Sequence, residues 1–191
     1  SGPARGAATV VVLVAGPEAE ADRGFPGEAE GEGDAVMPSK HTHYKEAIDY
    51  AEERIAADGE VEEYLDSLND VPEEIAWLFA ADICQDEVLD AGFEQYFFGF
   101  GGMVAPEAVK GFEAIGQGSA AGLLKAVMEK FGPEYPRDRF DRLGFLDDMD
   151  EATAVALADL ETAFIQQVRK EAGGYKKAAD RYAASLAGKV K

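Results

Sequence analysis

The chain has 191 residues, enough for one domain of ordinary size with its own core plus a tail. Its 38 acids against 18 bases leave a net charge of −20. That balance argues against direct binding to nucleic acid or to an anionic membrane, since both require a cationic footprint, and it favours a cationic partner or simply high solubility.

A single cysteine, Cys84, excludes an internal disulfide, and its apolar setting reads as a small buried side chain in a reducing compartment. The longest clear apolar run, Val10 to Val14, is far too short to span a bilayer. The expected location is the cytoplasm. Residues 1–36 are mostly Ala, Gly, Pro and Glu, so ordering them would cost more entropy than burial returns. Residues 1–40 therefore read as a disordered leader or an added extension, and 41–191 as the helical domain. Arg5 to Ala15 has the single positive charge and short apolar centre of a secretory signal, without an initiator Met or a convincing cleavage site.

From Tyr44 onward the apolar period is close to 3.6. Tyr44, Ile48, Ala51 and Ile55 form one stripe, with Thr42 or His43 as its cap, and Val61, Tyr64, Leu65 and Leu68 form a second, shorter one. Asn69 to Glu74 is a helix start, with a polar cap residue, Pro72 in the first turn and two carboxylates against the dipole; Ile75, Leu78, Phe79 and Ile83 then face inward. Later starts follow the glycine loop Gly99 to Gly102 at Pro106, Gly116 and Gly118 at Ser119, and the acidic run Asp147 to Glu151. The last of these opens a long helix carrying Ala154, Leu157, Leu160, Phe164 and Val168. Gly173-Gly174 interrupts it, and Tyr175, Ala179, Tyr182 and Leu186 mark a final helix. No segment alternates with period 2. The expected fold is all-α, a single compact domain of about eight to ten helices.

Charge is uneven along this scaffold. Between Ile55 and Val109 there is no lysine or arginine, while the same stretch carries 14 carboxylates. The densest part holds Asp58, Glu60, Glu62, Glu63, Asp66, Asp70, Glu73 and Glu74. With Glu46, Asp49 and Glu53 before it and Asp86, Glu87, Asp90 and Glu94 after it, these are the expected partner-binding residues. Spacings such as Glu46, Asp49, Glu53 or Glu62, Asp66, Asp70 put the acids on one helix face, where each like-charge pair costs on the order of 0.2–0.5 kcal/mol. A cationic groove would relieve that repulsion. By contrast, Arg169 to Lys191 contains seven bases and two acids, and either folds back on the acidic half or forms a second surface.

Catalytic machinery is sparse. His41 and His43 are the only imidazoles, and a His-x-His pair near a helix start is more often solvent-exposed than metal-bound. Asp147 to Glu151 lacks the alternating ligands and central glycine of a calcium loop, and Gly99 to Gly102 lacks the Lys-Ser/Thr of a phosphate loop. No catalytic residue, metal or cofactor is expected. The five rings of Phe93, Tyr96, Phe97, Phe98 and Phe100 exceed one helix face; core packing is their default, and a homodimer interface the sharper alternative.

Asp90-Ala91-Gly92-Phe93-Glu94-Gln95-Tyr96-Phe97-Phe98-Gly99 resembles the Asn-Gly-Gly-Phe-x-Gln-Tyr-Phe-x-Asn signature of a bacterial domain-of-unknown-function family that includes an acidic DNA-mimic protein. Asp90 and Ala91 stand in for the Asn and first Gly, and Gly99 for the final Asn; Gly92, Phe93, Gln95, Tyr96 and Phe97 match. Ile115-Gly116 and the Ala/Leu-rich Ala121 to Ala126 extend the resemblance over roughly residues 70 to 132. It implies an all-helical fold, often dimeric, without established catalysis. For the DNA-mimic relative it implies carboxylates that stand in for phosphates toward a repressor or histone-like protein. The first expectation is thus a non-enzymatic DNA mimic that binds a basic DNA-binding protein. Alternatives are an immunity or inhibitor protein against a basic toxin such as a nuclease, with its gene next door, and a carboxylate-based metal-binding enzyme.

Overall fold

Pro72 opens the longest element of the molecule. Its backbone (φ −53°, ψ 137°) sits just outside the helix, and its carbonyl accepts from the N–H groups of Ile75 and Ala76 at 2.8 and 3.0 Å. Glu73 and Glu74 then occupy the first turn, against the positive end of the dipole. This computed structural model describes residues 41–56 and 61–189, all within the compact unit Pro38–Lys191. The leader expected over residues 1–40, and the acids Asp58 and Glu60, lie outside the described residues.

Among the described residues there are eight α-helices and no strand: α1 (Thr42–Glu52), α2 (Val61–Ser67), α3 (Glu73–Phe98), α4 (Ala105–Ala114), α5 (Gly118–Met128), α6 (Arg139–Asp147), α7 (Glu151–Lys170) and α8 (Tyr175–Ser185). Short 3₁₀ turns at Leu68–Asp70, Gly101–Val104, Glu129–Phe131 and Glu171–Gly173 join them. The all-α expectation, and the helix number within it, hold for the described residues. Helix α3 is the hub, packing on α1, α4, α6 and α7, while α8 returns along α1. At the α3–α4 crossing the backbones nearly touch, because a Cβ on Gly111 would run into the Trp77 carbonyl.

Helix α3 is broken at Gly92, whose φ of 85° and ψ of 175° belong to a region only glycine adopts without strain. The break frees the Phe93 N–H, which donates to Glu161 Oε2 of α7 at 2.7 Å. A side chain from another helix therefore caps the second half of α3. A Cβ on Gly92 would lie 2.6 Å from that same oxygen, so the glycine both permits the turn and leaves room for its cap.

The restart swings three rings into the core. Phe93, Tyr96 and Phe97 are fully buried; Phe93 meets Phe164 at 5.0 Å between centroids, and Phe97 meets Phe131 at 4.9 Å. Phe98 and Phe100 stay outside, 41% and 52% exposed. The cluster thus divides between core and surface.

Helix α6 is an element the periodicity does not single out. Asp138 caps it, accepting from the Phe140 and Asp141 N–H groups at 2.7 and 3.2 Å. Its Arg142 is buried, donating to the carbonyls of Phe97 and Gly99 at 2.9 Å each and to that of Arg137. Arg139 donates to the Phe98 carbonyl at 2.9 Å. Two guanidinium groups thus close the C-terminal end of α3, where orphan carbonyls and the negative dipole end favour a cation. Burial lowers the Arg142 pKa.

Candidate acidic interaction surface

Around α1, Asp49 and Glu53 have a local cation and Glu46 has a histidine that is a cation only when protonated. Glu46 is 3.7 Å from His43, Asp49 is 2.8 Å from Lys45, and Glu53 is 3.1 Å from Arg54. All three carboxylates are exposed, and exposed pairs of this kind contribute well under about 1 kcal/mol. They dilute the local field more than they fix the structure.

Helix α2 and the turn after it differ. Glu62, Glu63, Asp66 and Asp70 are all exposed, and none forms an ion pair among the described residues. Tyr64, buried on the opposite face, anchors the short helix to the core and leaves the acids outward. Asp70 is not on the same α-helical face as Glu62 and Asp66, because the helix tightens to a 3₁₀ turn at Leu68–Asp70.

Along α3 the acids separate into three situations. Glu73 is exposed and 3.7 Å from Lys110, while Glu74, half-buried, is bonded by Lys189, which lowers its pKa. Asp86, Asp90 and Glu94 are exposed and free of ion pairs among the described residues, Asp86 accepting from the adjacent Gln85 amide. Asp86 and Asp90 lie four residues apart on unbroken helix, about 6 Å along the axis; Glu94 follows the Gly92 break. Glu87 points inward. Its Oε2 is buried without a hydrogen-bond partner, and burial pushes its pKa up to about 7.

One further acid belongs to this region and was not singled out in the sequence. Asp82, one turn before Asp86, accepts from the Tyr44 hydroxyl of α1, and burial raises its pKa to about 6 despite that bond. Its i, i+4 spacing from Asp86 was visible. Its pairing with Tyr44 needed the fold, which brings α1 across α3.

The basic end of the chain does fold back. Helix α8 lies along α1, Asp180 accepts the Tyr44 N–H at 3.0 Å, and Lys189 reaches Glu74. Among the described residues, no base of this end lies within ion-pair distance of Glu62, Glu63, Asp66, Asp86, Asp90 or Glu94. In mid-chain, Arg137 is held by Glu107 through two bonds of 2.8 Å, and Arg139 and Arg142 are spent on backbone carbonyls. Of the acids in the base-free stretch, Glu73, Glu74 and Glu107 therefore hold a cation, from Lys110, Lys189 and Arg137, while Arg139 and Arg142 hold none of them.

The motif residues play an internal part. Gly92 makes the break and Phe93, Tyr96 and Phe97 fill the core, while Gln95 is exposed. Cys84 is fully buried, and burial pushes its thiol pKa up. Among the described residues no group of three or more His, Cys, Asp or Glu is placed to hold a metal ion, and no helix is long and apolar enough to cross a membrane.

A family model described as DMP19-like protein matches residues 69–185, from the turn before α3 to the end of α8. Helices α1 and α2, with the four acids Glu46, Asp49, Glu62 and Glu63 among others, precede the matched span. No curated protein and no solved structure matches the chain. Since the match covers more than half of its residues, the chain belongs to the DMP19-like protein family.

Proposed function

We propose that the protein is a non-enzymatic DNA mimic, which offers the exposed carboxylates of α2, the following turn and the outer side of α3 to the nucleic-acid-binding face of a basic protein, a repressor or a histone-like protein. The observation that carries this reading is that Glu62, Glu63, Asp66, Asp70, Asp86, Asp90 and Glu94 are exposed and without ion pairs among the described residues. Uncompensated like charges on a folded surface are a standing cost. A cationic partner removes it and releases counterions from its own side.

Family membership supports the reading, since the signature resembles that of a family with an acidic DNA-mimic protein. So does the internal use of the middle arginines, which leaves the acids of α2 uncovered. The test is binding of a purified histone-like protein by the full chain across a salt series, with duplex DNA as competitor. Affinity falls steeply with salt, and DNA displaces the protein from its partner. A complex indifferent to both would rule the reading out. A basic nuclease as sole tight partner, encoded beside this chain, would select the inhibitor reading instead.

Self-association, if the protein uses it, has a separate surface available. Phe98, Phe100 and Phe140 are 41%, 52% and 79% exposed, and Arg139 lies 4.6 Å above the Phe98 ring. Sedimentation of wild type and of Phe140→Ser tests this: a dimer that dissociates in the variant supports it, and a monomer in both cases dismisses it.

A further inference from the structure

On the side of the molecule formed by the end of α7 and the start of α8 there is a groove of about 620 Å³ whose character is opposite to that of the α2 surface. Four cations line it: Arg169 from the last turn of α7, and Lys176, Lys177 and Arg181 from α8. Elsewhere Lys45, Arg54, Lys110, Arg137 and Lys189 each hold a carboxylate. These four hold none among the described residues, as is true of Lys125, Lys130 and Lys170, but the four come together in one groove, in a chain where acids outnumber bases about two to one. The groove contains one carboxylate, Asp180, already accepting the Tyr44 N–H at 3.0 Å. Lys176 also feels Asp82 beneath it, and Arg181 donates one bond to the Ala172 carbonyl at 2.9 Å, which leaves most of its fork unused.

The backbone adds to the same sign of charge. Helix α8 starts at Gly174 with no side-chain cap, so the first-turn N–H groups at Tyr175, Lys176 and Lys177, which also line the groove, have no side-chain acceptor. Gathering four cations around uncapped N–H groups is costly unless an anion is shared between them, and a doubly charged oxyanion matches both the fork of an arginine and a helix N-terminus. Leu89 and Val168 give the groove an apolar wall, and its volume suits a ligand of small-molecule size.

We propose that this groove binds a phosphate-bearing small anion of nucleotide size, held by Arg169, Lys176, Lys177 and Arg181. None of the α2 acids lines the groove, Asp86 borders it through Gln85, and the site does not depend on the DNA-mimic reading. It gives the protein a ligand input beside the α1–α8 contact that Asp180 and Tyr44 make.

The test is titration of the isotopically labelled full chain with inorganic pyrophosphate and with ADP, followed by backbone amide shifts. Saturable shifts confined to the end of α7 and to Gly174–Arg181 are expected with both probes. The double variant Lys177→Gln/Arg181→Gln, checked for an unchanged melting curve, weakens binding by about tenfold or more. Lys125→Gln/Lys130→Gln, the same change of charge at exposed residues that do not line the groove, leaves it unchanged. Three results would overturn the proposal: no shifts with either probe, shifts of equal size around Lys110, Lys125 and Lys130, or binding of duplex DNA at the groove in preference to ADP. Because the mapping uses the wild-type chain, a poorly folded variant does not remove the test.

Discussion

Gly92 shows how one residue type can be required twice over. Its backbone conformation is open only to glycine, and the space where a side chain would begin is taken by the Glu161 carboxylate that caps Phe93. Gly92→Ala is therefore expected to cost on the order of 1–3 kcal/mol from backbone strain, before any loss of the cap. Chemical denaturation measures it. Arg142 is a second such residue: replacing it by Met leaves the carbonyls of Phe97 and Gly99 buried without their donor, at about 3 kcal/mol or more in total. Glu87 acts in the opposite direction. Its pKa is raised from 4.5 to about 7 by burial, so the folded state binds more protons than the unfolded state between those values. Stability then falls as pH rises through that window and stays at its lower level above it. Glu87→Gln removes this component; the gap in melting temperature between variant and wild type should widen from pH 5 to pH 8, and a gap that does not change with pH would show Glu87 to be ionised throughout.

At the scale of elements, apolar spacing made most helices legible. Pro72 and its two following acids marked the start of α3, the acidic run Asp147 to Glu151 the start of α7, and Gly173-Gly174 the gap before α8, each through a local rule about termini. Helix α6 was not legible, because its one fully buried side chain is Arg142, a residue whose ordinary place is the surface. Only the C-terminus of α3, distant in sequence, gives that arginine its partners. The break at Gly92 was hidden for a related reason: Phe93 and Phe97 continue an apolar pattern across it, and its cap comes from Glu161. The acids of α2, and Glu73, Asp86, Asp90 and Glu94 of α3, could be read as exposed from periodicity, whereas the inward turn of Glu87 could not. Which ones keep a cation could not, since Glu73, Glu74 and Glu107 find theirs at Lys110, Lys189 and Arg137 through tertiary packing. On α2 and the turn after it, the variant Glu62→Gln/Glu63→Gln/Asp66→Asn/Asp70→Asn keeps its fold and changes stability by no more than about 1 kcal/mol, because relief of the Glu62–Asp66 repulsion is offset by loss of the first-turn charges Glu62 and Glu63 from the positive end of the helix dipole. A marked loss of melting temperature would mean these carboxylates are structural.

For the whole molecule, segregation of charge matters more than its sum. The middle arginines close helix ends and hold Glu107, Arg169, Lys176, Lys177 and Arg181 gather around the start of α8, and the acids of α2 and outer α3 are left without ion pairs among the described residues. An acidic α2 surface and a cation-lined groove follow from where the fold places its cations. The most direct measurement of the central claim is the affinity of wild type and of the α2 quadruple variant for a histone-like DNA-binding protein, in a salt series with and without duplex DNA. Tight low-salt binding by wild type, lost on adding salt or DNA and absent in the variant, is the predicted result. Equal binding by the two proteins, or a complex that persists in excess duplex DNA, would contradict it.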